Sequence, residues 1–163
     1  MNTRLLSALV VCVLLAAIAP ASARTRRATA GAAQDAEFKA LIDGYYAAWS
    51  TLDPNKAAKY YAKDADLVFF DIAPLKYNGW GEYKEGVVKN FTSLASSGSL
   101  KPNGDLKVTR RGTLAWTTVT FHLSVKSKAG GGMEVESRHT AIWEKRGGQW
   151  LIVHEHVSAP LGS

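Results

Sequence analysis

Residues 137–158 read SRHTAIWEKRGGQWLIVHEHVS, and this stretch decides the fold. Two runs of alternating apolar and polar residues flank Arg146-Gly147-Gly148, the pattern of a β-hairpin closed by a short glycine-bearing loop. A three-residue loop with one left-handed glycine sets Lys145 opposite Gln149 and Arg138 opposite His156. One face then carries Arg138, Thr140, Ile142, Glu144, Trp150, Ile152, His154, His156 and Ser158. The other carries Ser137, His139, Ala141, Trp143, Leu151, Val153, Glu155 and Val157. A two-residue loop slips the pairing by one residue and regroups both sets, because strand side chains alternate with a period of two. Three of the four histidines lie in this hairpin. Function is sought here first.

Working back to the start, residues 1–23 read as a cleaved signal peptide. Arg4 supplies a positive beginning, residues 5–18 are apolar except for Ser7, and Ala21-Ser22-Ala23 is a small-residue cleavage site. The apolar run is short of the roughly 20 residues a membrane span needs, so no stable anchor is expected after cleavage. The expected location is secreted or periplasmic. The one cysteine, Cys12, falls inside the leader, so the mature chain must be stabilised by its core without disulfides. About 140 residues remain, enough for one domain. The chain is basic, with 20 Lys and Arg against 14 Asp and Glu, for a net charge of +6. Part of that excess, Arg24, Arg26 and Arg27, sits in an Ala/Thr/Gly-rich stretch over 24–34 that reads as a flexible basic linker. No nucleic-acid partner is expected of an exported chain. Residues 35–160 are the domain.

The domain begins with an amphipathic helix over 35–52, with Phe38, Leu41, Ile42, Tyr45, Trp49 and Leu52 at helical spacing. Asp53-Pro54 restarts a shorter helix to about residue 61, with Asp at the cap and Pro in the first turn. A short strand over 67–71 and a Pro/Gly/Asn-bearing loop over 73–81 follow. A third helix over 82–96 places Tyr83, Val87, Phe91 and Leu94 on one side. The period then changes to two, with strands near 106–111, 114–126, 133–145 and 149–157. Three helices followed by a long antiparallel meander is an α+β layout, with the helices packed on one sheet face.

This order resembles the nuclear transport factor 2-like superfamily, which includes the SnoaL-like proteins and ketosteroid isomerase, over essentially all of 35–160. The closing string T-x-x-W, Gly-x-Trp, V-H-x-H-x-S-x-P resembles the association (hub) domain of calcium/calmodulin-dependent protein kinase and its bacterial relatives. The resemblance implies a cystatin-like α+β roll. Three N-terminal helices pack on a strongly curved, mainly antiparallel sheet that forms a cone-shaped pocket, and the convex face commonly makes a dimer. Fold alone does not give the reaction. Compared with ketosteroid isomerase, the YYAAWSTLD segment matches the donor tyrosine at Tyr45, or at Tyr46 with a gap. The VFFDIAPLKYNG segment matches the catalytic base at Asp71. The third isomerase position, a protonated Asp, falls at or near Ala141, which cannot donate, so steroid isomerisation is not expected. The hub's pocket arginines fall at Phe121, Ala141 and Val157, which implies a drier pocket.

Three constellations follow, each with two readings. Asp71 with Tyr45 and Trp49 is a carboxylate among aromatics, raised in pKa and suited to general-base work; alternatively Asp71 stabilises the turn before Pro74 and the aromatics are core. His139 beside Glu155 is either a proton-shuttling pair at a pocket mouth or a structural ion pair near the sheet rim. Arg138, Thr140, His154, His156 and Ser158, with His122 nearby, form either a metal site or, as the ligand count favours, a polar network across a homodimer interface. No metal and no cofactor are expected. Trp49, Tyr77, Phe121, Ala141, Trp143 and Val157 are the expected ligand-binding wall. The resulting expectation is an exported pocket protein for a small, largely apolar ligand, with isomerase-like or other proton-transfer activity. The alternative is a non-catalytic, hub-like oligomerisation module.

Overall fold

The structure is a computed structural model that describes residues 21–72 and 74–161, with side chains described at residue 33 and from residue 35 onward. The expected leader lies outside the described residues apart from its last three. The chain divides into two compact units, residues 1–33 and 34–163, and every side-chain interaction below lies in the second.

Helix α1 is Ala21–Trp49. The basic stretch over 24–34 is therefore helical rather than an irregular linker, as its alanines, arginines and glutamine favour. Phe38, Ile42, Tyr45, Tyr46, Ala48 and Trp49 are its buried residues among those whose side chains are described. The helix stops three residues before the expected end, and Leu52 takes a left-handed conformation at φ 59°. Helix α2, Pro54–Ala57, starts where Asp53 accepts a hydrogen bond from the Asn55 amide at 2.9 Å, and a 3-10 turn over Ala58–Tyr60 extends it.

Strand β1, Val68–Phe70, and strand β2, Tyr77–Asn78, pair antiparallel, so the expected loop over 73–81 holds a short strand. Helix α3, Gly79–Val87, passes into a π-helical turn over Val88–Thr92. It ends short of the expected residue 96 because Ala95–Pro102 is strand β3. That segment, ASSGSLKP, has little strand propensity of its own; pairing with a long neighbour at the sheet edge overrides it. Strands β4 (Lys107–Arg111), β5 (Leu114–Ser127), β6 (Gly132–Arg146) and β7 (Gln149–Ser158) follow the expected positions closely. The curved sheet runs β2-β1-β7-β6-β5-β3, with β4 also on β5. It is mixed, because β1 lies parallel to β7.

The closing hairpin corrects the expected register. Arg146 pairs with Gln149 across a two-residue turn in which Gly147 and Gly148 both have positive φ, 57° and 85°. Both central residues of such a turn need the left-handed region, which glycine enters without strain. A bulge between Ile142 and Trp143 then shifts the pairing by one residue, so Thr140, not Arg138, faces His156. The two-residue turn inverts β7 relative to the expectation between the turn and the bulge, and the bulge restores the expected faces beyond it. Trp150 and Ile152 are buried on the helix side, whereas Leu151 and Val153 are not. Beyond the bulge Glu155 and Val157 still join Ser137, His139, Ala141 and Trp143 on the buried face, as expected.

The core lies between α1 and this face. Phe38 packs edge-on against Trp143 at 5.9 Å and against Trp150 at 5.0 Å, and Tyr46 meets Phe121 at 5.1 Å. Phe38, Trp143 and Trp150 thus pack one end of this face, while Tyr46 and Phe121 lie toward the other.

Candidate functional site

At that other end a single carboxylate gathers the polar groups of four elements. Glu155 of β7 is fully buried. Tyr45 of α1 donates to its Oε2 at 2.9 Å, and Tyr83 of α3 donates to its Oε1 at 2.6 Å. The Tyr61 hydroxyl, just past the 3-10 turn, lies 3.0 Å from both oxygens. His139 Nε2, on β6, lies 3.2 Å from Oε2. A carboxylate has about four acceptor positions, and four donors occupy them. Trp49 Nε1 donates to the Tyr61 oxygen at 3.1 Å, and Tyr46 Oη lies 3.1 Å from His139 Nδ1.

Local sequence explains the convergence. Tyr45 and Trp49 are one helical turn apart and share a face. His139 and Glu155 lie diagonally on neighbouring strands, since the register sets Ala141 opposite Glu155 and Val157 opposite His139. The pair is thus more deeply buried than a rim ion pair, with His139 2% exposed. Aromatic contacts hold the geometry: the His139 ring stacks on Tyr45 at 5.0 Å, and Phe69 stacks on Tyr83 at 5.3 Å.

The electrostatics follow from burial and partners. Burial alone would push the Glu155 carboxyl up, but His139 and the Tyr83 and Tyr45 hydroxyls outweigh it and hold it below the ordinary carboxylate value. It is therefore ionised. Burial, then the Glu155 charge, raises the Tyr45, Tyr61 and Tyr46 hydroxyls; at Tyr83 burial is followed by Asp71 and then Glu155. All four phenols keep their protons.

Beside this cluster is a cavity of about 240 Å3. Tyr45, Tyr46, Trp49, Tyr83, Phe121 and Leu123 form its inner wall, while Asp71, Val87, Asn90, Phe91, Met133 and Val157 stand around the rest. Asp71 follows β1 directly. Its half-buried carboxyl accepts from the Ile72 amide at 2.7 Å, so it does support the turn. It is also raised to about 6, because desolvation outweighs that hydrogen bond and the nearby Glu155 charge adds to the rise. The turn contact and the raised carboxyl thus belong to the same residue.

Of the expected ligand-binding wall, Trp49, Phe121 and Val157 line the cavity. Tyr77, Ala141 and Trp143 do not. Ala141 and Trp143 are fully buried in the core, with Trp143 Nε1 donating to Thr117 Oγ1 at 3.0 Å, and the side chain of Tyr77 packs against Tyr83 at 5.1 Å. Arg138, Thr140, His154, His156 and Ser158 share the outer sheet face. There His154 Nδ1 lies 2.8 Å from the Val68 carbonyl oxygen, Phe70 stands edge-on to both His154 and His156, and His122 pairs instead with Glu136 at 2.8 Å. Among the described residues no group of three or more His, Cys, Asp and Glu is placed to hold a metal.

The residues sequence reasoning missed are Tyr61 and Tyr83. Their signal is polar supply and demand. Six tyrosines precede the long strands, and buried phenols need partners, while Glu155 and His139 are the ionisable groups on the strands' apolar face.

The chain is a curved α+β roll with a partly polar pocket lined by its first helix and its sheet. The profile of the SnoaL-like domain matches residues 38–162, and this chain belongs to that family. Comparison with curated protein sequences found no significant match. Among solved structures, a nuclear transport factor 2-like superfamily protein from Salmonella enterica is similar, with 20% identity, a TM-score of 0.71, and coverage of 78% of this chain and 91% of that one. A Xanthomonas campestris chain provisionally named a calcium/calmodulin dependent protein kinase II association domain has 26% identity and a TM-score of 0.66, covering 78% of this chain and 88% of that one. A Caulobacter vibrioides protein with a cystatin-like fold has 19% identity and a TM-score of 0.60, covering 76% and 87%.

Proposed function

We propose that this is an exported pocket protein that binds a small, largely apolar carbonyl compound and moves a proton on it, with Asp71 as the base. The observation that carries this reading is a half-buried carboxylate, raised to about 6, on the wall of an aromatic cavity of about 240 Å3. A base with a pKa near working pH combines a useful ionised fraction with real proton affinity. In the step proposed, Asp71 takes a proton from carbon next to the carbonyl. The C–H electron pair moves into the carbonyl, leaving an enolate, and the Asp71 acid returns the proton to the same or a conjugated carbon. No cofactor enters that balance. The leader-like residues 1–23 support export.

The test is solvent deuterium uptake into a panel of indanones, tetralones and cyclohexenones, followed by proton NMR. Uptake above the buffer rate for at least one ketone is expected. No uptake across the panel, with no quenching of tryptophan fluorescence by any member, would remove the reading.

A second reading is favoured by the outer sheet face. Trp116 is 41% exposed and Ile142, its cross-strand partner, is 38% exposed, beside the Thr140, His154 and His156 surface. Adjacent large apolar groups of this kind mark interaction surfaces. The proposal is a homodimer through this face, which is compatible with the pocket role. Ile142→Glu is expected to halve the mass seen by light scattering; a parent chain already monomeric at high micromolar concentration would count against it.

A further inference from the structure

We propose that the ligand is a two-part molecule: a cyclic ketone held in the aromatic cavity, with an uncharged alkyl chain on its reacting carbon that passes Asp71 into a second, adjoining groove. This rests on the pocket reading above and deepens it by naming the substrate class, an α-alkylated apolar ketone. The observation that carries it is a junction. Beside the cavity of about 240 Å3 lies a groove of about 440 Å3, and Asp71, Ile72 and Val157 stand on the walls of both.

The groove arises where two strands separate. The parallel ladder of β1 and β7 ends at the Phe70–His156 pair, while β7 runs on to Ser158. Asp71, Ile72 and Leu75, which follow the end of β1, form one side. Val157, Pro160 and Leu161, the end of β7 and the chain after it, form the other. Asp71 is the first residue past the last pair, so it is wall to both spaces.

Size and chemistry define what fits. Ligand pockets usually enclose about 300–1,000 Å3. The aromatic cavity alone falls below that range, whereas cavity and groove together fall inside it. Seven of the ten groove residues are apolar and none is Lys or Arg, so an anionic chain would find no partner there and would face the Asp71 carboxyl. The chain is therefore neutral. Leu75 is 90% exposed and Leu161 fully exposed, large apolar side chains at the groove that an alkyl chain would cover. A base at the junction meets the carbon that joins the two parts, with the ring on one side and the chain on the other. An α-carbon that carries one alkyl group within a ring still holds the single proton that the step needs.

The probes are 1-tetralone and its 2-methyl, 2-ethyl, 2-propyl and 2-butyl derivatives, titrated by calorimetry. Each added methylene should tighten binding to the parent about two- to fourfold, the effect of moving one CH2 from water to an apolar wall. The butyl compound should thus bind about tenfold or more tighter than the methyl one. The double variant Leu75→Asp, Leu161→Asp changes two exposed side chains and should lose most of that ratio. A parent that binds 1-tetralone but shows no gain with chain length overturns the groove assignment and leaves the pocket reading standing. A ratio unchanged in the double variant puts the chain elsewhere and overturns it as well. A gain seen only in Ile142→Glu assigns the groove to a second copy of the chain, with the same consequence. Binding of no member removes both readings. Should the double variant not fold, nuclear Overhauser contacts between the butyl chain and the Leu161 methyls in the parent decide: they are expected, and their absence overturns the proposal.

Discussion

Glu155→Ala is expected to cost about 4 kcal/mol of folding stability, near the range for breaking a buried ion pair by removing one partner. The cost has three sources. Three phenols and an imidazole lose their common acceptor, and each buried donor left without a partner bears its own desolvation penalty of about 1–3 kcal/mol. The link between β6 and β7 that the Glu155 carboxylate makes to His139 Nε2 at 3.2 Å is also lost. A void also opens against the Tyr61, Tyr83 and Phe69 rings, which are held by stacking and T-shaped contacts and cannot all collapse into it. Urea unfolding measures the loss, and a change below about 1 kcal/mol would show that water or rearranged tyrosines replace the carboxylate easily. Glu155→Gln keeps the shape and one carbonyl acceptor, so it should cost less. Its pH behaviour is a separate check. The folded-state pKa of Glu155 is lowered, so the folded chain binds fewer protons than the unfolded one across that interval. The associated stability is present above the ordinary glutamate range and is lost as pH falls through the lowered value. Glu155→Gln should therefore flatten the acid limb of the stability curve.

The same residue shows how far sequence alone reaches. Period-two alternation over 137–158 placed His139, Ala141, Glu155 and Val157 on one face, and the residue types YYAAW, FFD and HxHxS carried the fold. The hairpin register was not readable to one residue, because Arg146-Gly147-Gly148 supports two turn lengths and the bulge at Ile142/Trp143 leaves no local mark. Strand β3 was hidden for a related reason: its pairing with β5 is tertiary, and ASSGSLKP carries no alternation. Asp71 and Tyr45 were identified as a pair facing the pocket, and both line it. Their roles separate only in three dimensions. Tyr45 points its proton at a glutamate 110 positions away in the chain, a contact that no local pattern encodes. Trp143 fails as a pocket residue because the sheet face is long: its far end meets Phe38 in the core, and only the end nearer His139 opens onto the cavity.

Asp71→Asn is expected to lower deuterium uptake into any ketone the parent turns over by roughly a hundred- to ten-thousandfold, the usual contribution of a positioned general base. Asparagine preserves the shape and can still accept from the Ile72 amide, the contact made now at 2.7 Å, so the turn after β1 should survive. What it lacks is a lone pair basic enough to take a proton from carbon. The parent's rate should rise with pH through about 6 as the Asp71 carboxyl ionises, then level off. The variant's residual rate should lack that rise. Stability should move the opposite way from activity. The folded-state pKa of Asp71 is raised from 3.8 to about 6, so the folded chain holds the proton more tightly than the unfolded one, and ionisation disfavours folding as pH climbs through that window. Above pH 6 the parent bears this penalty and the asparagine variant does not, so Asp71→Asn should melt no lower than the parent at neutral pH. A structural Asp71 predicts the reverse combination, a lower melting temperature with uptake retained. The two measurements together therefore separate a base held in an apolar wall from a carboxylate that only closes a turn.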